Sequence, residues 1–363
     1  MLALAAALCL CLAAAGPAAG AKRWVIKGAG FGHGIGMSQY GAFGFAKHGK
    51  NYRAIVKHYY KGTTVGDRSD KTVRVLLRPY QSNVKISGAS SACGSKLSEK
   101  RAYTARREGK NVILRDKKGV RVAGCKILSA TGGASVNLAG KGAYRGAIVV
   151  RPSSVRGTVN AINAVGLEDY LRGVIARESP SSWPMDALKA QALAARSYAL
   201  STGVRGNGFD FYDDTRSQVY GGVGAETART NKAVAQTAGE VVQHKGRVAQ
   251  TFFFSTSGGH TENNEFSFLG GTPLPYLRGV PDPYDGASPY HRWKRKLTQR
   301  QMQAELGGLV RGKLKRIVVT KRGASPRIVR AKLVGSGGTT KTNGPALRAY
   351  LGLPDTWARF VRK

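Results

Sequence analysis

A chain of 363 residues, 42% of them hydrophobic, carries 58 Lys and Arg against 20 Asp and Glu, a formal net charge of +38 at pH 7. The length accommodates one large domain or two modest ones. Such an excess of cations implies anionic surroundings or an anionic partner. The cations are spread along the whole sequence, which excludes a single basic arm. A generally solvated cationic surface and a dedicated polyanion site both stay open.

Residues 2–15 form an unbroken apolar run, shorter than the roughly 20 residues that span a bilayer. The run dissolves into Gly16, Pro17 and small residues ending at Ala19-Gly20-Ala21. This is the pattern of a signal peptide over residues 1–21, although no Lys or Arg precedes the run. A retained N-terminal anchor is the competing reading. The expected product is residues 22–363, secreted. Cys9 and Cys11 fall inside the apolar run, which leaves Cys93 and Cys125. Two cysteines in an exported chain form a disulfide more often than a metal pair.

Residues 24–66 are rich in glycine and aromatics and open on a loop, Gly28-Ala29-Gly30-Phe31-Gly32-His33-Gly34-Ile35-Gly36. Apolar residues at helical spacing follow within 37–60. Residues 72–165 read as short strands punctuated by Gly, Ser, Asn and Lys. Both remaining cysteines lie there. Residues 166–290 contain the core of the chemistry. One helix is expected over about 168–177, and a second starts at Pro184, a favourable first helical residue. The second carries Met185, Leu188, Ala192, Ala195 and Ala199 on one stripe. A further helix is expected around 227–237 and strands near 241–242 and 251–254. Residues 291–363 are rich in Lys and Arg, with a pair of strands at 317–319 and 328–333 and a last helix near 344–351. The texture as a whole reads as α+β, with a β-rich part and a helical catalytic segment packed against mixed sheet.

Glu178 is the first candidate for chemistry. It stands at a helix end before Ser179-Pro180-Ser181-Ser182-Trp183. A carboxyl beside an indole is partly desolvated, which raises its pKa and lets it donate a proton near neutrality. Cleavage of a glycosidic bond needs such a donor at the leaving oxygen. Lys189 and Arg196 are seven residues apart, on one helical face, and are expected to lean over the cleft edge. The run Gly32-His33-Gly34-Ile35-Gly36-Met37-Ser38-Gln39-Tyr40-Gly41 offers close backbone approach to a ligand with hydrogen-bonding groups from His33, Gln39 and Tyr40. Ser257 and His260 sit in a small-residue turn, but no strand–GxSxG–helix context surrounds them. The six His residues show no metal-binding spacing.

Together these motifs resemble the sporulation stage II protein D family, which also includes the amidase enhancers. The resemblance covers nearly all of residues 22–363. It is carried by the His33 motif continuing into His58-Tyr59-Tyr60-Lys61-Gly62-Thr63, by Tyr144-Arg145-Gly146, and by residues 163–174 and 187–198. Glu178-Ser179-Pro180, residues 214–222 (from Asp214-Thr215-Arg216 to Tyr220-Gly221-Gly222) and Ser255-Thr256-Ser257-Gly258-Gly259 add to it. The resemblance implies lytic transglycosylation of peptidoglycan glycan strands, preferably strands stripped of stem peptides. It implies Glu178 as the catalytic residue. Lys189, Arg196 and Tyr40 fall on family positions of functional importance. His33, Gln39, Gln218, Tyr220, Ser257 and Tyr276 complete the set expected to contact substrate.

Two departures matter. In the sporulation proteins the His-Gly motif lies near the C-terminus; here it leads the chain, so His33 and Tyr40 are expected to fold back and complete the cleft beside Glu178. Some members bind zinc through His and Cys near the Gln218 block. Neither residue type occurs between Phe211 and Gly222, so no metal and no cofactor is expected. The expected partners are peptidoglycan glycan strands, a cell-wall amidase and anionic wall polymers, and no nucleic acid. Three rival readings stand beside the enzyme. They are a non-catalytic glycan-binding enhancer of an amidase, a hydrolase using Asp213, Asp214 or Glu262 as a second carboxylate, and an extracellular polyanion binder.

Overall fold

The computed structural model describes residues 23–204 and 208–363. The expected signal peptide, with Cys9 and Cys11, lies outside the described residues. Among the described residues no helix is long and apolar enough to cross a membrane. Helices and several sheets make an α+β fold.

The stretch 72–165 forms two sheets. A seven-stranded sheet is built around the strands Thr72–Gln81, Val159–Gly166 and Ala147–Pro152. A six-stranded sheet is built around Asn83–Ser87, Ala102–Glu108 and Asn111–Arg115. Alternate residues from both, such as Val75, Ile86, Leu114 and Ile148, fill the space between them. A disulfide joins Cys93 to Cys125, 32 residues apart, and so ties the edge of the first sheet to an outer strand of the second. A closed loop of that length restricts the unfolded chain by roughly 3–4 kcal/mol. Replacing both cysteines with Ser is expected to lower denaturant stability by about that amount. An unchanged unfolding midpoint would show that the bridge does not hold the two sheets together.

The strand Val159–Gly166 runs directly into helix α3 (Leu167–Glu178). No side chain of Gly166 caps that helix. Instead the Leu167 N–H donates to Asp70 Oδ1 at 3.0 Å and to the Lys71 carbonyl. Glu168 and Asp169 place negative charge in the first turn, where the helix dipole favours it. The far end is fixed by Ser179-Pro180. A residue before Pro avoids helical backbone, and Ser179 is extended, with φ −140° and ψ 135°. Glu178 is therefore the last helical residue.

Helix α4 (Met185–Ser201) is the centre of the helical half. It is buried on nearly every side, not along one stripe, with Ala187, Leu188, Ala190, Ala192, Leu193, Ala194 and Ala195 all covered. Its alanines admit four neighbouring helices, α3, α1 (Gln39–Lys47), α2 (Tyr52–Tyr59) and α5 (Ala228–Ala235), and the strand Glu240–His244. Pro184 is the residue preceding the helix rather than its first turn.

A third core lies in the C-terminal part. The N-terminal strand β1 (Arg23–Gly28) pairs on one side with Trp293–Thr298 and on the other with Ala358–Arg362. Trp24 and Ile26 pack there with Leu333, Leu347 and Leu351. The N-terminal segment is thus divided. Its first strand belongs to the C-terminal module, and α1 and α2 belong to the helical core around α4.

Candidate active site

Glu178 lines a cavity of about 370 Å³ together with His33, Tyr198, Thr215, Arg216, Ser217, Val219, Phe252, Phe253 and Phe268. Its Oε1 accepts the Val219 backbone N–H at 3.1 Å, and its Oε2 accepts the Gln39 amide at 3.2 Å. Burial pushes the carboxyl above its ordinary pKa, while those two hydrogen bonds pull in the opposite direction. Burial is the larger influence, because removing an ion from water outweighs two partial compensations. Glu178 is the only carboxylate among the residues lining this cavity.

Aromatic rings form much of the wall. Tyr198 meets Phe252 edge-on at 5.8 Å, and Phe252 meets Phe268 at 5.0 Å. His33 sits among Phe252, Phe254 and Phe268. Its Nδ1 accepts the Ile35 N–H at 3.0 Å, which leaves any proton on Nε2. Burial lowers its pKa to about 4, opposed by a hydrogen bond to the Phe253 backbone and aided by Arg348 and Arg327. The imidazole is therefore neutral across the physiological range.

Two further concavities share wall residues with this cavity. Arg216 also walls a concavity with Tyr80, Arg151, Phe209 and Tyr212. His33 and Phe268 wall another with Pro345, Arg348 and Leu353. Glu178 thus stands in the middle member of three concavities with shared walls, an arrangement that suits an elongated ligand better than a compact one.

The leading glycine segment lies beside α3 despite its position in the chain. Ser38 caps α1 by accepting the Gly41 N–H, which turns Gln39 toward Glu178. Tyr40 rests edge-on against Trp183 at 5.1 Å, and Phe43 packs on the same indole at 5.2 Å. The indole therefore anchors α1 and does not cover Glu178 as the sequence suggested. The glycines serve internal packing more than ligand approach. At Gly34, with φ +83°, a Cβ would lie 2.5 Å from Arg327 Nε, and at Gly36, with φ +73°, 2.1 Å from the Phe252 carbonyl oxygen.

Several expected contact residues lie elsewhere. Arg196 is buried and forms a fork with Glu168, both contacts at 2.7 Å. It also donates to the Glu240 carbonyl at 3.1 Å. Face-sharing with Lys189 did not bring Arg196 to the cleft, because α4 is surrounded. The Lys189 amine stands over the Tyr52 ring, 5.5 Å from its centroid. Ser257 is fully buried and donates to Asp285, which also receives the Gly258 N–H and contacts His291. The Tyr276 hydroxyl accepts the Gln250 N–H.

Gln218 and Tyr220 are buried too, but their effect reaches the cavity. Gln218 accepts the Tyr170 hydroxyl and donates to the Ala195 carbonyl. The Tyr220 hydroxyl donates to Asn163. They clamp the segment on either side of Val219, whose N–H holds Glu178. Val219 was invisible in the sequence because the contact is made by backbone. Phe252 and Phe253 read only as part of a strand near 251–254, and the sequence did not single out Phe268, since ring type alone does not tell a wall from a core. The rival carboxylates are held by other groups and none of them lines the cavity, although Asp214 pairs with Arg216 on its wall. Asp213 pairs with Lys141 and Asp214 with Arg216. Glu262 is buried and accepts from Ser325 and the Ala324 N–H. Among the described residues no group of three or more His, Cys, Asp or Glu is placed to hold a metal.

The chain is similar in sequence to known proteins. The family model described as "Stage II sporulation protein" matches residues 155–244, which include α3, α4 and Val219. Stage II sporulation protein D of Bacillus subtilis (strain 168) is 32% identical over 251 residues, 64% of this chain and 71% of that protein. An uncharacterised protein of Brachyspira hyodysenteriae is 38% identical over 140 residues, 38% of this chain and 37% of that one. An amidase enhancer of Bacillus subtilis (strain 168) is 38% identical over 136 residues, 37% of this chain and 18% of that protein. The chain belongs to the stage II sporulation protein D family. It spans well under half of the Brachyspira protein and of the amidase enhancer.

Proposed function

We propose that this is an exported cell-wall enzyme that cleaves peptidoglycan glycan strands by lytic transglycosylation, with Glu178 as general acid and then general base. The observation that carries the reading is a single buried carboxyl of raised pKa, held at two points, in a groove walled by aromatic rings. The protonated Glu178 donates to the leaving glycosidic oxygen as the C1–O bond breaks. The resulting carboxylate takes the proton of the muramic acid C6 hydroxyl, whose oxygen closes on C1 and leaves a 1,6-anhydro end. One carboxyl serves both steps, which agrees with the absence of another among the lining residues. Aromatic faces suit the apolar faces of sugar rings. Within this reading Arg216, rather than Arg196, is the cation at the groove wall. The test is mass spectrometry of peptide-free glycan strands after incubation with the protein. Anhydro ends are expected, and reducing ends alone would instead indicate a hydrolase.

The likeness to an amidase enhancer favours a second reading, a glycan-binding protein that stimulates an amidase without cutting the strand. The Gln39→Ala variant separates the two. Loss of the Gln39 donor removes a bond that favours the ionised form of Glu178, so the carboxyl pKa rises further. The alkaline limb of a pH–rate profile is then expected to move to higher pH. A binding protein has no such limb to move.

A further inference from the structure

The sheet made by β1, Trp293–Thr298 and Ala358–Arg362 has one face in the third core and one face in solvent. On the solvent face the register sets Lys27 directly opposite Lys294 on one side and Arg359 on the other. Three cations thus form one row across three strands. The next row is Lys296, Val25 and Val361. In the third, Arg23 faces Lys363, and the two exchange backbone hydrogen bonds of 2.9 Å and 2.8 Å. Arg23, Lys27, Lys294, Lys296, Arg359 and Lys363 are all exposed. None of the six takes part in an ion pair among the described residues. Five of them, with Val25, wall a shallow groove.

Like charges directly opposite each other on a sheet are destabilising. A chain that merely needed solubility has no reason to place three in one row without a carboxylate beside them. The arrangement fits a ligand that brings the missing negative charge. Val25 is 7% exposed, and no large exposed hydrophobic residue lies on these strands. Membrane-surface binding draws on apolar side chains that enter the lipid boundary, and single-stranded nucleic acids are held by stacking on exposed rings. The face has neither. Its rows of flexible Lys and Arg heads match a linear chain of repeated anions, each a compact point of charge.

We propose that this face is a docking surface for a phosphodiester-linked, base-free polyanion, and that it tethers the enzyme independently of Glu178. The inference does not rest on the proposed cleavage, because binding is measured without any glycan. The experiment titrates the full chain with a poly(glycerol phosphate) of defined length over a range of salt. Three proteins are compared: the native chain, the triple variant Lys27→Gln/Lys294→Gln/Lys296→Gln, and a control, Lys110→Gln/Lys117→Gln/Lys118→Gln. The control removes three exposed cations of the β-rich half. Neutralised phosphates release counterions, so log K falls linearly with log salt. The face variant is expected to lose on the order of 100-fold in affinity near 50 mM salt, with a salt slope shallower by about three. The control is expected to keep most of its affinity.

Equal losses in both variants, or none in the face variant, would overturn the proposal. So would tight binding of vesicles of phosphatidylglycerol and phosphatidylcholine with no binding of the polymer. Thermal melting supplies an independent readout. Lys27→Gln relieves the crowded row and is expected to raise the melting temperature of the free protein. A lower one would show that the row is not crowded in the free protein and would overturn the reading of this face as built for a ligand.

Discussion

Glu178→Gln is expected to lower glycan cleavage by about 10²–10⁴-fold, the range that a general acid or base contributes. The substitution is conservative in shape. The Gln carbonyl still accepts the Val219 N–H, and Gln39 turns its own amide to accept from the new NH₂ group. The groove keeps its walls, so glycan binding is expected to survive while cutting fails. Stability moves the other way. The carboxyl pKa is raised in the folded protein by burial. A group of that kind stabilises fully below its unfolded pKa and loses the contribution as pH rises through the folded one. At neutral pH native Glu178 therefore costs stability, and Gln does not. The variant is expected to melt at or above the native temperature at neutral pH, with the advantage vanishing in acid. A variant that still cuts fully refutes the acid–base assignment. A variant that is inactive but melts lower at neutral pH points to a structural role.

The placement of Glu178 was legible because its causes are local. A Pro two residues on ends the helix, and the end of α3 falls at Glu178. The β-rich texture of residues 72–165 was legible for the same reason: alternation and turn residues act over a few positions. What the sequence hid depends on distant partners. The strand β1 finds both its neighbours more than two hundred residues away, and its apolar Trp24 and Ile26 look like part of the glycine-rich segment that follows. Val219 contributes an N–H that every residue except Pro possesses, so its type carries no signal. The stripe on α4 suggested one buried face, but a helix of alanines can be packed from all sides, and this one is.

Arg196 shows the same limit with the largest consequence for stability. Helical spacing correctly groups it with Lys189 but says nothing of what stands opposite. The structure puts its guanidinium between three elements. The fork to Glu168 reaches the first turn of α3, and weaker contacts reach the Val234 carbonyl of α5 and Thr237 just beyond it. A fifth bond, to the Glu240 carbonyl, ties in the following strand. Only 1% of the Arg196 side chain is exposed, against 24% of Glu168. Removing one partner of a buried pair costs about 3–5 kcal/mol because the other is left uncompensated. Partial solvation of Glu168 places Arg196→Met near the lower end, about 3 kcal/mol. Arg196→Lys keeps the charge but not the planar fork, so an intermediate loss is expected. Denaturant unfolding measures both, and a cycle with Glu168→Gln isolates the pair. Where the variants are folded, the KM for glycan strands is expected to match the native protein's. A raised KM at undiminished stability would return Arg196 to the substrate, and the buried fork could not then be its principal role.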